Sequence, residues 1–358
     1  MSITALRARA LDVPMKKAFG IAGGAQEIAR NVLVEIELAS GERGWGEAAP
    51  LPAFNGETQA GALATALALV EEMVGRDAGH WRDLAARAFS AGSACGACAV
   101  ETAIVDAFAR SRGTSLRALF GGAETELVTD ITITTGSVDD ASREARAFAA
   151  FDTLKIKVGG AADHDVDLDV QRVLAVSEAR PDARLLLDAN GGLSIHAALH
   201  LTSALRARGV PLALFEQPVA PGSWDALAEI RAKCGIPVAI DESVTHPDDI
   251  HAAHAARAAD AANIKIMKSG VARALEIAAA ARACGMLPMI GGMVETRLAM
   301  GTSASIAAGL GGFAFIDLDT PLFLAEDPFD GGYVQRDARL DLRPITLGHG
   351  CVPHARHR

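Results

Sequence analysis

Charged residues stand at the ends of short apolar runs from residue 155 onward. These ends are Lys155-Ile156-Lys157, Asp188, Glu216, Asp241, Lys265 and Asp317-Leu318-Asp319. The successive steps from Lys157 through the next three positions to Lys265 are 31, 28, 25 and 24 residues. A strand, its loop and the helix that leads to the next parallel strand together occupy about 30 residues. The spacing therefore predicts consecutive parallel strands, each with a charged side chain at its C-terminal end.

Those strand ends would lie on one face if the sheet closes into a barrel, and barrel enzymes have their active sites on that face. Carboxylate oxygens are ligands that suit Mg²⁺. Without a cation, three neighbouring carboxylates would repel one another and raise one another's pKa values. The sequence therefore predicts a magnesium site formed by Asp188, Glu216 and Asp241. In the alternative interpretation, each carboxylate pairs with a neighbouring lysine or caps the following helix.

The lysines suggest proton transfer. Lys155 and Lys157 are two positions apart on a predicted strand, so both side chains point to the same face, here the barrel interior. Lys265 follows several strands later and is expected approximately across the barrel from Lys157. A lysine that acts as a base near neutral pH needs a pKa lowered from ~10.4 toward ~7, which takes about 4 kcal/mol of differential stabilisation. In the alternative interpretation these lysines, and Lys268, are counter-ions to the carboxylates.

Other patterns indicate the elements that hold these residues. The alternating residues 32–38 lead through a turn to Gly44-Trp45-Gly46-Glu47, which predicts an antiparallel hairpin. Ala-rich segments near 58–74 and 94–110 have helical spacing. From Thr129 onward strand and helix signals alternate, which is typical of a parallel α/β fold. Helices are expected at 163–179, 195–208, 223–234, 247–258 and 270–284. The stretch after Pro328 is expected to return and pack on the N-terminal module.

Composition excludes several classes of function. The 358 residues are half hydrophobic, carry a net charge of −10 and contain no basic stretch suited to nucleic acid. We expect no membrane partner, because no apolar run approaches the ~18 residues that a membrane span needs. The N-terminus lacks the apolar stretch of a secretion signal, and five cysteines, an odd number, indicate reduced thiols in the cytoplasm. Cys95 and Cys98 lie in a helical pattern without a second pair, so we expect them to be buried packing residues.

As a set, the motifs resemble those of the enolase superfamily, muconate-lactonizing subgroup. They are Lys155-Ile156-Lys157, Asp188-Ala189-Asn190, Glu216-Gln217-Pro218, Asp241-Glu242-Ser243 and Asn263-Ile264-Lys265-Ile266-Met267-Lys268. The resemblance covers essentially the whole chain. It implies a modified (β/α)7β TIM-like barrel at residues 125–325 and an α+β capping domain at residues 1–124, completed by residues 326–358. It also implies one Mg²⁺ per active site, where such sites use a Lys or His base and Mg²⁺ stabilises an ene-diolate.

Within the subgroup, Ile316-Asp317-Leu318-Asp319-Thr320-Pro321 resembles the D-x-D signature of dipeptide epimerases. Two aspartates at the end of the last strand offer a double negative charge that suits a substrate ammonium group. The structural alternative is that Asp317 and Asp319 pair with Lys268 or with a backbone turn. The resemblance further implies that Thr132 and Gly292-Met293-Val294 line the substrate pocket.

The implied activity is Mg²⁺-dependent epimerisation of a dipeptide at the Cα atom of its C-terminal residue. Lys155 would lie near the substrate carboxylate, whereas Lys157 and Lys265 would remove and return the Cα proton on opposite faces. Two alternatives stay open. One is another enzyme of the subgroup, such as an N-acylamino acid racemase, whose substrate has no free ammonium group. The other is a non-catalytic dipeptide-binding protein of the same fold.

The early capping loop narrows the expected substrate. Some family members that act on Ala-Glu dipeptides carry an arginine in this loop, whereas residues 19–25 contain no cation here. We therefore expect a dipeptide whose C-terminal residue is not acidic, for example a hydrophobic one. Phe19, Ile21 and Phe54 are candidate contacts, although each is as readily explained by ordinary packing. A homo-oligomer is also expected.

Overall fold

The N-terminal part of the chain forms an antiparallel sheet covered by helices. The computed structural model describes residues 1–21, 24–90, 92–160 and 165–355, and leaves out the side chains at positions 18, 19, 21, 24 and 25. The sheet has the order β1 (Ile3–Ile21), β2 (Gly24–Leu38) and β3 (Arg43–Ala48). Its helices are α1 (Pro52–Asn55), α2 (Gln59–Ala68), α3 (Val70–Met73), α4 (Trp81–Ala88), α5 (Ala94–Ser111) and α6 (Leu116–Leu119).

The predicted hairpin is confirmed by the pairing of Val34 with Gly46 across β2 and β3. Gly46 is required by close packing, since a Cβ atom there would lie 1.9 Å from the carbonyl oxygen of Ala99 in α5. The helical segment predicted near 58–74 is confirmed, and it is divided into α2, which ends at Ala68, and the separate turn α3. Cys95 and Cys98 in α5 are buried and free, as expected.

After the short strand β4 (Glu126–Val128), strands and helices alternate around a curled parallel sheet. Its strands, neighbours in chain order, are β5 (Ile131–Ile133), β6 (Thr153–Lys157), β7 (Arg184–Asp188), β8 (Leu212–Glu216), β9 (Val238–Ile240), β10 (Ala261–Ile264), β11 (Leu287–Ile290) and β12 (Phe315–Ile316). The connecting helices are α7 (Val138–Ala147), α8 (Val166–Ala179), α9 (Ile195–Ala207), α10 (Trp224–Cys234), α11 (Pro247–Ala256), α12 (Ile266–Ala283) and α13 (Arg297–Leu310).

A backbone hydrogen bond joins the first and last strands of this sheet. The N–H of Asp130, just before β5, donates to the carbonyl oxygen of Ile316 in β12 at 2.9 Å. Eight parallel strands and seven helices among the described residues thus form the predicted (β/α)7β architecture. The observed helices begin and end within a few residues of the predicted bounds, except that α12 begins at Ile266 and bends at Gly270.

The C-terminal segment returns to the capping helices. Its strands are β13 (Phe329–Gly331), β14 (Val334–Arg336), β15 (Arg339–Asp341) and β16 (Cys351–Pro353). The backbone N–H of His349 donates to Asp106 of α5 at 2.9 Å, and Arg110 donates to the carbonyl oxygen of Cys351. The boundaries proposed between the domains stay a prediction. Within the described residues, each helix is too short or too polar to cross a membrane.

Candidate active site

Strand register brings the predicted charged residues together at one end of the barrel. Lys157 of β6 pairs with Asp188 of β7, which in turn pairs with Glu216 of β8. Asp241 and Lys265 directly follow the last residues of β9 and β10. All five side chains are buried. The periodic spacing in the sequence thus corresponds to neighbouring positions on the C-terminal rim of the barrel.

The lysines and carboxylates on this rim form buried ion pairs. Lys157 Nζ lies 2.6 Å from Asp188 Oδ2, and Lys265 Nζ lies 2.7 Å from Asp241 Oδ2. Lys155 Nζ is shared, at 2.9 Å from Asp188 Oδ2 and 2.8 Å from Glu216 Oε2. The pairing that the sequence left open as an alternative is therefore formed. Such pairing is also what buried charges require, so it is compatible with a metal role for the same oxygens.

Further hydrogen bonds orient the three carboxylates. Asn263 Nδ2 donates to Glu216 Oε1 at 2.7 Å, and the backbone N–H of Asn190 donates to Asp188 Oδ1 at 3.0 Å. For Asp241, Lys268 Nζ lies 2.7 Å from Oδ1, which leaves Oδ2 to Lys265. Outer contacts of this kind fix metal ligands in place.

Three oriented carboxylates from successive strand ends have the hard oxygen chemistry that suits Mg²⁺. Their charges are unevenly stabilised. Burial raises the pKa of Asp188, but the charges of Lys155 and Lys157 outweigh burial and hold this pKa below its usual range. Burial and the charge of Asp188 raise the pKa of Glu216 to about 7. A divalent cation at these oxygens would offset that repulsion. The donor chemistry of Asp188, Glu216 and Asp241 is therefore compatible with the predicted ion, and their role as its ligands stays a prediction.

Lys157 and Lys265 face one cavity from opposite sides of the barrel. Their strands, β6 and β10, are the second and sixth of eight in the sheet order, half a turn apart. The predicted residues that line this cavity are Thr132, Lys157, Lys265, Gly292, Met293, Val294, Asp317 and Asp319. Phe54 also lines it, with its ring centroid 5.2 Å from Lys265 Nζ. A substrate carbon between the two amines could exchange a proton on either face.

The charge around Lys265 opposes the shift that a base needs. Burial lowers the pKa of Lys265, but the carboxylate charges of Asp241, Glu216 and Glu242 outweigh it, and the pKa lies above its usual range. A lysine with a raised pKa is a poor base near neutral pH. Any cation that neutralises those carboxylates would move the pKa of Lys265 downward.

The two aspartates of the D-x-D segment have partners other than Lys268. Asp317 Oδ2 lies 2.7 Å from Lys155 Nζ, and Asp319 Oδ2 accepts the backbone N–H of Thr132 at 2.6 Å. Both aspartates still line the cavity. The two aspartates of the predicted D-x-D segment are therefore on one cavity wall, where burial and the charge of Asp317 raise the pKa of Asp319 to about 7. Among the described residues, neither aspartate pairs with Lys268, which was the alternative that the sequence left open.

Some predicted residues lie behind the cavity wall. Lys155, Asp188, Glu216 and Asp241 are at most 1 % exposed and are not among the described lining residues. The position of Lys155 beside the substrate carboxylate stays a prediction. The side chains of Phe19 and Ile21 lie outside the described residues.

Sequence reasoning missed Leu51, Asn190 and Thr320, which also line the cavity. Asn190 had a usable signal, since it follows Asp188 by two residues and has φ 43°, a conformation that Asn tolerates better than most residues. Its Oδ1 accepts from Lys157 Nζ at 3.2 Å, so it helps to place that amine.

Two family models match nearly the whole chain. Residues 4–121 match the mandelate racemase/muconate lactonizing enzyme N-terminal domain, and residues 138–356 match the enolase C-terminal domain-like family. The chain belongs to the mandelate racemase/muconate lactonizing enzyme family of the enolase superfamily. The predicted superfamily and fold are thereby confirmed.

Similar proteins indicate which group within the superfamily the chain resembles. The aromatic dipeptide epimerase of Herpetosiphon aurantiacus is 43% identical over 353 residues, which cover 98% of each chain. The hydrophobic dipeptide epimerase of Citrifermentans bemidjiense is 38% identical, with 97% of this chain and 96% of the relative covered. A solved structure of an Enterococcus faecalis dipeptide epimerase, complexed with Mg and L-Leu-L-Tyr, is 30% identical with a TM-score of 0.93, covering 99% of this chain and 100% of that one. These relatives confirm the predicted dipeptide epimerase family and the isomerase class.

Proposed function

We propose that this enzyme epimerises dipeptides at the Cα atom of the C-terminal residue, with Mg²⁺ and two lysine bases. The observation that supports it most is the placement of Lys157 and Lys265 on opposite strands around one cavity. Inversion at carbon requires that a proton leave one face and another arrive on the opposite face. Two amines on opposed walls have the arrangement for this reaction, whereas two amines on one wall would not.

Each group has a separate task in this proposal. Asp188, Glu216 and Asp241 would hold Mg²⁺, which supplies positive charge where the substrate carboxylate gains electron density. Lys157 or Lys265 accepts the Cα proton, and the other lysine delivers a proton to the opposite face of the ene-diolate. The lysine that starts the reaction depends on the configuration of the bound epimer.

The cavity wall that contains Asp317 and Asp319 would orient the dipeptide. Asp317 and Asp319 would accept hydrogen bonds from the substrate ammonium group, which keeps the C-terminal residue between the two lysines. Lys155, ion-paired to Asp188, Glu216 and Asp317, would contribute positive charge near the substrate carboxylate. Proximity and orientation of this kind account for a large share of catalysis in such reactions.

The cavity favours a non-acidic, hydrophobic C-terminal residue in the substrate. Leu51, Phe54, Met293 and Val294 provide apolar surface, and the described lining offers no cation besides the two proposed bases. An acidic side chain would therefore lose its hydration without gaining a partner. The aromatic and hydrophobic dipeptide preferences in the names of two relatives agree with this preference.

A dipeptide library incubated in D₂O tests the proposal. Mass detection of one deuterium per substrate, together with appearance of the second epimer, should occur with Mg²⁺ and cease after chelation. Dipeptides with Phe, Tyr, Leu or Met at the C-terminus should react fastest. Fastest turnover of Ala-Glu would contradict the substrate preference, and uptake by N-acylated amino acids alone would favour the racemase alternative.

A further inference from the structure

A third buried carboxylate lies beneath the D-x-D wall of the cavity. One oxygen each from Asp130, Asp317 and Asp319 lie within 4.8 Å of one another, and all three residues are buried. Asp317 and Asp319 line the cavity between the two lysines, whereas Asp130 is 2% exposed and lines a separate cavity, together with residues such as Thr153 and Arg184. Asp130 therefore faces the two aspartates from behind.

Asp130 lacks the partners that the other two carboxylates have. Asp317 is ion-paired to Lys155, and Asp319 accepts the N–H of Thr132. Among the described residues, no hydrogen-bond donor reaches either carboxylate oxygen of Asp130. A buried ionised carboxylate without a donor is costly, so the absence of donors argues that this group is not an anion.

The charges around Asp130 also favour its protonated form. Burial is the largest cause that raises the pKa of Asp130, followed by the charges of Asp317 and Asp319, while Lys155 opposes them. Like charges this close cannot all stay ionised in a buried site. A protonated carboxyl has an O–H donor, and an oxygen of Asp317 and one of Asp319 lie within 4.8 Å as candidate acceptors.

The backbone holds Asp130 at this place. Its N–H donates to Ile316, and the neighbouring Thr129 Oγ1 accepts the N–H of Leu318 at 2.8 Å. These bonds join the start of β5 to the segment that contains Asp317 and Asp319. Barrel closure therefore places the backbone of Asp130 beside the segment that contains Asp317 and Asp319.

We propose that Asp130 is a positioning residue for the substrate ammonium group, because its carboxyl O–H donates a hydrogen bond to Asp317 or Asp319 and keeps that pair directed into the cavity. The inference rests on the proposed function, in which the pair binds the dipeptide's ammonium group. Asp130 itself does not touch the substrate.

Two substitutions that nearly preserve the shape of the Asp130 side chain distinguish the effect of its hydrogen-bond donor from the effect of its packing. Asp130→Leu removes the donor, whereas Asp130→Asn retains one in its amide group. With a dipeptide that the wild type converts, Asp130→Leu should raise KM about tenfold with little change in kcat, which corresponds to one hydrogen bond of about 1.4 kcal/mol. Asp130→Asn should restore KM to within about threefold of the wild type, as expected if one hydrogen bond accounts for most of the effect.

An inhibitor without an ammonium group provides the control. The N-acetylated form of the same dipeptide should bind equally to the wild type and to both variants. A KM for Asp130→Asn as high as that for Asp130→Leu would overturn the proposal, since it would show that a negative charge, for instance as a ligand of a second cation, is required. An unchanged KM in both variants would overturn the proposal, because it would show that the donor has no role. Equally weakened binding of the inhibitor would also overturn it, because it would assign the effect to packing alone.

A spectroscopic measurement keeps the inference testable if Asp130→Leu does not fold. The infrared difference spectrum between the wild type and Asp130→Asn should contain the C=O stretch of a protonated carboxyl at neutral pH. Its absence would overturn the proposal. This measurement needs no turnover. A wild type that epimerises no dipeptide would therefore contradict the proposed function, whereas the C=O band would still report whether Asp130 is protonated.

Discussion

Two groups of buried carboxylates in this protein have contrasting partners. On the barrel rim, Asp188, Glu216 and Asp241 face lysine side chains. At the junction with the capping sheet and helices, Glu47 and Glu101 face the backbone N–H groups of barrel helices. Side-chain ion pairs can be exchanged for a metal or a substrate, whereas backbone donors cannot leave. The difference agrees with the proposal that the first group takes part in the reaction, whereas the contacts of the second group fix the geometry.

Glu47 shows how the capping domain holds a wall of the cavity. Its Oε1 accepts from Asn31 Nδ2 at 2.6 Å and from the backbone N–H of Thr296 at 3.0 Å. Its Oε2 accepts from Thr296 Oγ1 and from the N–H of Ala299, at the start of α13. Asn31 also donates to the carbonyl oxygen of Val294, so these contacts hold the Gly292–Val294 segment.

Glu101, also in the capping domain, holds the helix that follows Lys265. Its two oxygens accept the N–H groups of Val271 at 2.9 Å and Ala272 at 2.7 Å, where α12 resumes after Gly270. Gly270 has φ 76°, and a Cβ atom there would lie 2.0 Å from Glu101 Oε2. A carboxylate at a helix N-terminus is favoured by the helix dipole as well as by these hydrogen bonds.

The largest effect is expected on the rim. Replacing Lys157 or Lys265 by Met should reduce the epimerisation rate by about 10²- to 10⁴-fold, the usual contribution of a positioned acid or base. The check is the initial rate at saturating Mg²⁺ and dipeptide. The exposed Lys233, ion-paired to Glu229, supplies the control Lys233→Met, which should keep the wild-type rate. A similar loss in the control would point to a general effect of removing lysines.

The D-x-D wall is expected to come next. Replacing Asp317 and Asp319 together by Asn preserves shape but removes both charges, so binding of the dipeptide's ammonium group should fail and turnover should be lost. The measurement is kcat/KM for a dipeptide beside that for an N-acylated amino acid. If the double variant turned over dipeptides normally, the substrate's ammonium group would have to bind elsewhere, and the N-acylamino acid racemase alternative would gain support.

At the junction, Glu47→Ala should chiefly affect stability. Removing a buried carboxyl group that accepts four hydrogen bonds should lower the free energy of unfolding by on the order of 3 kcal/mol. KM should also rise, since the Gly292–Val294 segment loses its support. Urea unfolding measures the first effect and steady-state kinetics the second. Glu37→Ala, on the exposed face of β2, is the control, and equal destabilisation there would contradict a special role for Glu47.

The smallest effect concerns pH. Burial raises the pKa of Glu101 from 4.5 to about 7 in the folded protein. Between these pH values the folded state binds more protons than the unfolded state, so the free energy of unfolding falls as pH rises. The total change is up to about 3 kcal/mol. Glu101→Gln should reduce this slope in urea unfolding across the window, and the part that remains comes from other buried carboxyls such as Glu216, whose pKa is also raised to about 7. An identical slope in both proteins would contradict the assignment.

The residues of the barrel rim could be predicted from the sequence, because the spacing of the charged residues follows from the repeating strand and helix of the barrel. Lys157, Asp188 and Glu216 end successive strands, and register then makes them neighbours. The contacts of Glu47 with Thr296 and of Glu101 with Val271 join residues 249 and 170 positions apart. No local pattern encodes such pairs, since they depend on how the capping helices dock on the barrel.

Asp130 was missed for a related reason. In the sequence it opens a strand, and a strand start is normally far from the C-terminal rim. Its proximity to Asp317 and Asp319 arises because β5 and β12 meet where the barrel closes. Lys155 was recognised as an inward lysine, but its three carboxylate partners depend on that same closure.

Deuterium exchange with each pure epimer tests the opposed lysines most directly. Lys157→Met and Lys265→Met are each incubated in D₂O with one epimer at a time, and Cα exchange is followed by mass and by chiral separation. The account predicts that each variant exchanges only one epimer, that the two variants exchange opposite epimers, and that neither interconverts them. Exchange of the same epimer by both variants, or interconversion by either one, would contradict proton transfer from two faces.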